Sequence, residues 1–284
     1  MEREIFTSDN IDFEFTQQGV EFLLVCHEIE KIISYADNIC RKNFKGNVWI
    51  RGLIEFSNHC CRNCLYCGLR RDNKNIKRYR MSSDDILKTA ETIIKEGIET
   101  IVLQSGDDLY YSKYEISDII KKIKKINPKQ AITLSIGERD FDDYKYFFDA
   151  GADRFLMKHE TFSENLYNQI HPGQSFKKRI KIIELLKKIG FQTGIGSIIG
   201  LPRQTLKDLA KDIMFYYDFQ PDMIGMGPFM PQSDTIFKDF KSPSCELVLR
   251  CYALARIAVK SAYIPVSTAS STLGEDKLQI SALR

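Results

Sequence analysis

Short runs of β-branched and other apolar residues alternate along this chain with longer segments whose apolar residues recur every three or four positions. The short runs are Val48–Ser57, Thr100–Gln104, Ala131–Ile136, Arg154–Lys158, Phe191–Ile199, Met223–Gly227 and Ile264–Thr268. Each has strand length and strand composition. The longer segments carry helix punctuation. Ser82-Ser83-Asp84-Asp85 caps one that runs to about Glu96 and stops at Gly97, and Ser175–Ile189 stops at Gly190. Others cover the stretch up to Lys125, Phe141–Asp149, Thr205–Tyr217 and Ser244–Lys260. A further helix begins at Glu275 and reaches Leu283. Strands alternating with helices make parallel βαβ units. The pattern predicts an α/β fold, a TIM-type barrel of about seven strands rather than eight.

Ahead of the barrel, residues 12–45 read as two helices, with Thr16 as N-cap and Val20, Leu23, Leu24, Ile32 and Ile33 on the apolar face. This divides the chain into a helical segment over 1–46 and a barrel over 47–284. Every polar motif of interest falls directly after a strand. In such a barrel those positions converge on the C-terminal face, where the chemistry is done.

Composition narrows the class. With 43% hydrophobic and 28% charged residues, the chain has the make-up of a soluble enzyme. A net charge of +3, with both signs interspersed, argues against nucleic acid as the main partner. No apolar run approaches membrane-spanning length and no signal-peptide core opens the chain, so a cytoplasmic location is expected. Of eight cysteines, four fall between residues 60 and 67. In the cytoplasm these are thiols or metal ligands.

Cys60, Cys64 and Cys67 are spaced C-x3-C-x2-C on the loop that follows the first predicted strand. Three thiolates on one short loop can hold three corners of a 4Fe-4S cluster and leave the fourth iron open. Zinc is the rival, with His59 or Cys61 as fourth ligand, but both are immediate neighbours of Cys60 and strain a tetrahedron. Unliganded thiols are the third reading.

The motif, with the aromatic Tyr66 before its last cysteine, resembles the signature of radical S-adenosylmethionine enzymes. The longer run Glu55–Lys74 resembles the HydE branch, the FeFe-hydrogenase maturases. Four further segments match that branch in order. They are Thr100–Gly106, His159-Glu160-Thr161, Gly196–Pro202 and Gly225–Pro231. Biotin synthase and methylornithine synthase are close relatives of it. The resemblance implies a radical SAM barrel holding a 4Fe-4S cluster on Cys60, Cys64 and Cys67, with Cys61 a bystander. S-adenosylmethionine on the open iron would be cleaved reductively to a 5′-deoxyadenosyl radical.

It also implies roles for strand-end residues. Tyr66 neighbours the cofactor. Gln104, Ser105 and Gly106 approach its amino end, Glu160 meets the ribose hydroxyls, and Arg179 pairs with the methionyl carboxylate. Ser135 is a further contact, and Met230 packs near adenine. Taken alone, a Gln-Ser-Gly turn is an ordinary βα turn, a helical arginine is ordinarily solvated, and His159 is more simply a structural histidine. The cysteine loop and the shared barrel face give these positions weight.

Deeper in the barrel, Thr133, Lys158, Ser267 and Thr268 match the family's internal anion site, expected to take a small anionic or organometallic substrate such as a cysteine-bound iron carbonyl cyanide species. Here the chain departs from the pattern the resemblance implies, which is Arg where Lys158 stands, Thr where Ser267 stands and His where Gln232 stands. The basic run Arg70, Arg71, Lys74, Lys77, Arg78 and Arg80 is either a solvated loop or a dock for a flavodoxin or ferredoxin electron donor. Other hydrogenase maturases are further expected partners. The family extends beyond the position of Arg284, which implies a C-terminally truncated barrel lacking its final strand. The alternatives are a related radical SAM enzyme of the biotin synthase or methylornithine synthase type and a zinc-binding structural protein.

Overall fold

The computed structural model describes residues 13–282. Helices α1 (Gln17–Leu23) and α2 (Ile29–Phe44) lead to β1 (Gly52–Ser57) and α3 (Ser83–Lys95). Then come β2 (Thr100–Ser105), α4 (Lys113–Ile126), β3 (Ala131–Ser135), α5 (Phe141–Asp149) and β4 (Arg154–Leu156). Helices α6 (Glu164–Ile170) and α7 (Phe176–Ile189) precede β5 (Gln192–Ile195) and β6 (Ile198–Ile199). The described part closes with α8 (Leu206–Phe219), β7 (Met223–Ile224), β8 (Gly227–Pro228), α9 (Cys245–Ala258) and α10 (Thr268–Ala282). The main sheet is parallel throughout, in the order β1-β2-β3-β4-β5-β7, and β6 pairs with β8 beside it.

The caps form where the sequence places them. Thr16, Ser82, Ser175 and Ser244 each accept a first-turn N–H, and Ser112 and Thr205 complete capping boxes with Glu115 and Asp208. Along the strands, Ile54, Phe56, Ile101, Leu103, Ile132 and Leu134 are buried in one cluster with the surrounding helices, and α1 and α2 add Val20, Leu23, Ile32 and Ile39 to it. Alternation sends the intervening residues to the inner face. Glu55, Gln104 and Ser135 therefore stand side by side at the C-terminal ends of β1, β2 and β3.

Four departures from the predicted elements have physical causes. Val48, Trp49 and Ile50 lie outside β1 and are exposed. The predicted strand 191–199 breaks into β5 and β6 at Gly196, where a side-chain carbon would stand 1.9 Å from the Gly225 carbonyl oxygen. The two chains close on each other there, and Met223–Gly227 breaks in the same place into β7 and β8. The seventh predicted strand, Ile264–Thr268, does not form, and a single bridge joins the preceding Tyr263 to Met223. Pro265 has no N–H to extend that ladder, and Thr268 opens α10 instead of ending a strand. The short α6 escapes prediction because its seven residues show too few turns for a period. Among the described residues the main sheet thus has six strands. Leu283 lies outside the described residues. Among the described residues, no helix is long and apolar enough to cross a membrane.

Candidate active site at the cysteine loop

The loop after β1 is pinned from several sides. Cys61 N–H donates to the Asp107 carbonyl at 2.9 Å, and Leu65 N–H to the Ile170 carbonyl at 2.9 Å. The Arg62 side chain reaches Asp107 Oδ2 at 2.7 Å and Glu138 Oε2 at 3.1 Å. At the loop's far end, Arg80 grips Asp108 with two bonds of 2.8 and 2.9 Å, and Ser57 Oγ donates to the same carboxylate at 2.6 Å. Asp107 and Asp108 thus fasten both ends of the loop. Gly106 has a packing reason of its own. A side-chain carbon there would lie 2.3 Å from the His59 carbonyl oxygen and 2.8 Å from Cys60 Cβ. The β2 turn and the cysteine loop touch backbone to backbone.

Three of the four cysteines share one environment. Cys64 feels the charges of Cys67, Cys60 and Glu160, whereas Cys61 is exposed and feels Arg62, Asp107 and Glu138. Burial pushes the Cys60 thiol up to about 11 and the Cys64 thiol up to about 12, and raises Cys67 as well. Half-buried thiols of this kind ionise only with a positive partner beside them.

The strand-end residues converge on the same mouth. Gln104 Nε2 donates to Glu55 Oε1 at 3.2 Å, with Ser135 in register beside it. Ser105 Oγ turns back to the Gly106 carbonyl at 2.7 Å. Glu160 adopts φ +65, which is rare for a residue with a side chain, and parallel bridging to Ser197 holds it there. Its Oε2 is buried and pairs with Lys158 Nζ at 3.2 Å. Such backbone outliers gather at functional sites. Met230 joins Tyr66, Cys67, Gly68, Gln232 and Asp234 in lining a cleft of about 610 Å³.

Other predicted residues sit differently. Thr133 is buried within β3 and its hydroxyl has no partner. Ser267 Oγ meets Ser270 Oγ at 3.2 Å, and Thr268 is exposed at the start of α10. Arg179 is buried on α7 and already engaged. Its Nε lies 2.8 Å from Glu138 Oε1, one terminal nitrogen donates to the Lys158 carbonyl at 3.2 Å, and the other to Gln174 Oε1 at 3.2 Å. The basic loop divides. Arg78 is turned inward onto the carbonyls of Asn58, Leu69 and Arg70, Arg70 holds the Asp234 carbonyl, and Arg80 holds Asp108. Arg71 pairs with Asp72. Lys74 and Lys77 remain exposed at the rim.

The sequence reading missed His171. Its Nδ1 donates to the Tyr167 carbonyl at 3.1 Å, because a carbonyl only accepts, so Nε2 accepts the Tyr66 hydroxyl at 3.0 Å. The imidazole stacks on Tyr167 with centroids 4.1 Å apart. Burial, helped by the Arg179 charge, lowers its pKa to about 3, so it stays neutral and keeps Tyr66 oriented. The segment His171-Pro172-Gly173-Gln174 offers no period or spacing that would single it out.

Comparison with known proteins settles the class. The sequence profile of the radical SAM superfamily matches residues 54–216, which span the cysteine loop and all the strand ends through α8. The chain belongs to the radical SAM superfamily. The FeFe hydrogenase maturase subunit HydE of Thermotoga maritima is 44% identical over 263 residues, covering 92% of this chain and 75% of that protein. The 3-methylornithine synthase of Methanosarcina acetivorans is 27% identical over 84% of this chain and 68% of its own length. The crystal structure of methylornithine synthase (PylB) superposes with a TM-score of 0.85, covering 95% of this chain and 81% of that one at 23% identity. The maturase HydG from Carboxydothermus hydrogenoformans gives 0.81, with 94% and 65% covered at 20% identity. Both structures share the fold.

As a radical SAM enzyme the chain works with a 4Fe-4S cluster and S-adenosylmethionine. Its residues fit both groups. Three half-buried cysteines lie within electrostatic reach of one another on a clamped loop. Among the described residues no three His, Cys, Asp or Glu side chains are set to hold a single metal ion. The Glu160 carboxylate, held at this mouth by its backbone bridge to Ser197, can accept from a hydroxyl-bearing ligand.

Proposed function

We propose that this protein is a HydE-type maturase that cleaves S-adenosylmethionine reductively and acts in assembly of the FeFe-hydrogenase H-cluster. The 44% identity to HydE across 92% of the chain carries this reading. Cys60, Cys64 and Cys67 would hold the cluster. Bound together, cluster and cofactor supply a carbon-centred radical that abstracts hydrogen or adds to substrate. The chain's own residues prepare for that. Asp107, Glu138 and Asp108 fix the loop through Arg62 and Arg80. Tyr66, oriented by His171, and Met230 would flank the adenine, and Glu160 would accept from the ribose hydroxyls. The inner row of Gln104 and Ser135 would meet the amino end. Arg179, turned from Glu138 or shared with it, would meet the carboxylate.

Thr133, Lys158 and Ser267 would line the substrate end, with Thr268 at its edge and other maturases supplying or receiving the small organometallic substrate. A rearrangement of the methylornithine synthase type is the second reading, supported by the 27% identity over 84% of this chain to a 3-methylornithine synthase. Co-production with an FeFe hydrogenase and its remaining maturases, in a host lacking HydE, tests the first. Recovered hydrogenase activity supports it. No recovery, together with reductive formation of 5′-deoxyadenosine by the same protein, would assign the chain to another radical SAM reaction.

A further inference from the structure

Gln174 stands between the two parts of the site and belongs to neither as described so far. Its amide bridges Arg179 and a cluster-loop sulfur. The guanidinium can only donate, so Oε1 faces Arg179 at 3.2 Å. That fixes the other half of the amide. The Nε2 group turns to Cys64 Sγ at 3.2 Å. The amide has no freedom to flip, because a flip would set two donors against each other.

Arg179 is itself held. Its Nε lies 2.8 Å from Glu138 Oε1, and the opposite oxygen of that carboxylate lies 3.1 Å from Arg62 NH2. Arg62 is two residues from Cys64 on the same loop. The contacts therefore close a ring running from the loop through Arg62, Glu138, Arg179 and Gln174 back to Cys64. Glu138 is buried, with Lys178 Nζ at 3.6 Å as a third cation. A single carboxylate thus fixes the arginine that fixes the amide.

We propose that Gln174 is a positioning and tuning residue. It donates a hydrogen bond to the Cys64 sulfur and so raises the reduction potential of the cluster, with its polarity imposed by the Arg62–Glu138–Arg179 chain. Hydrogen bonds to cluster sulfurs stabilise the more negative, reduced state. This rests on the cluster reading above.

The test is a redox titration of the anaerobically reconstituted full chain without S-adenosylmethionine, followed by the electron paramagnetic resonance of the reduced cluster. Iron and sulfide content are measured in parallel. Q174L removes the donor. Q174E has nearly the same shape and keeps an acceptor for Arg179, but presents oxygen to the sulfur. E138Q loosens the chain one step back. Both Gln174 variants should lower the midpoint, Q174E the more. A tenfold shift in the ratio of oxidised to reduced cluster corresponds to 59 mV for one electron. E138Q should move it the same way by less. Midpoints equal to the parent in cluster-loaded Q174L and Q174E would overturn the proposal. Q174E decides alone where Q174L holds less than full iron. A parent that takes up no cluster at all would overturn the underlying reading instead.

Discussion

Among the four clustered cysteines the site discriminates by environment as well as spacing. Cys64 is half-buried, feels Cys60 and Cys67, and accepts from Gln174, whereas Cys61 is exposed beside Arg62. Replacing Cys64 with Ala should abolish cluster uptake, since two sulfurs cannot hold the cube. Cys61→Ala should load iron and sulfide as the parent does. The reverse result, by iron analysis after reconstitution, would sink the ligand assignment. His171 supplies a second, pH-dependent check. Its pKa falls from 6.5 to about 3 in the folded chain, chiefly through burial. Between those values the unfolded chain takes up a proton that the native chain refuses. Stability is thus present above about pH 6.5 and is lost as pH falls toward 3, by about 1.4 kcal/mol per pH unit at most. His171→Gln should be less stable than the parent at neutral pH, with a gap that narrows on acidification, read from urea midpoints of cluster-free protein. A constant gap would mean that the imidazole titrates freely. The cysteines, Tyr66 and Glu160 were legible in the sequence because a motif spaces them. His171, Gln174 and Glu138 were not, because their meaning lies in contacts between different strand ends.

At the scale of elements, packing between the β2 turn and the cysteine loop decides whether the ligands can converge. Two glycines near the loop separate space from flexibility. At Gly106 a side-chain carbon would meet backbone, 2.3 Å from the His59 carbonyl oxygen, and cannot be accommodated by a side-chain rotation. At Gly68 the nearest obstacle is the end of the Gln232 side chain, 3.2 Å away, which can move. Gly106→Ala should therefore cost on the order of 1–3 kcal/mol in overpacking and sharply reduce iron uptake, and Gly68→Ala should load normally. Denaturation midpoints and iron content together check this, and normal loading of Gly106→Ala would show that the turn yields. The elements themselves were largely readable, because caps and apolar period agree in the helices. The strands that went astray did so for tertiary reasons. Residues 191–199 and 223–227 break where Gly196 meets Gly225, and 264–268 does not form around Pro265, none of which periodicity records.

For the whole molecule, the open question is how an electron reaches a loop wrapped in so many ion pairs. The basic run after the cysteines offers six cations in the sequence, yet most are spent on the fold. Arg70 and Arg78 satisfy carbonyls inside the loop, Arg80 serves Asp108, and Arg71 pairs with its neighbour Asp72. A test by charge reversal at Arg78 would damage the loop and say nothing about docking. Lys74 and Lys77 are the informative pair, since both are exposed and Lys77 rims the cleft that Cys67 lines. If an acidic donor docks there, reversing both charges slows encounter by about tenfold at low salt, because rim charges act mainly on association. Lys74→Glu with Lys77→Glu should then form 5′-deoxyadenosine more slowly with reduced flavodoxin or ferredoxin. With dithionite, which needs no docking surface, the rate should match the parent. Added salt should slow the parent and leave the variant nearly unchanged, as screening removes what the mutation has already removed. Equal slowing with dithionite would place the two lysines in the service of the cluster, and no slowing with either reductant would return the loop to plain solvation.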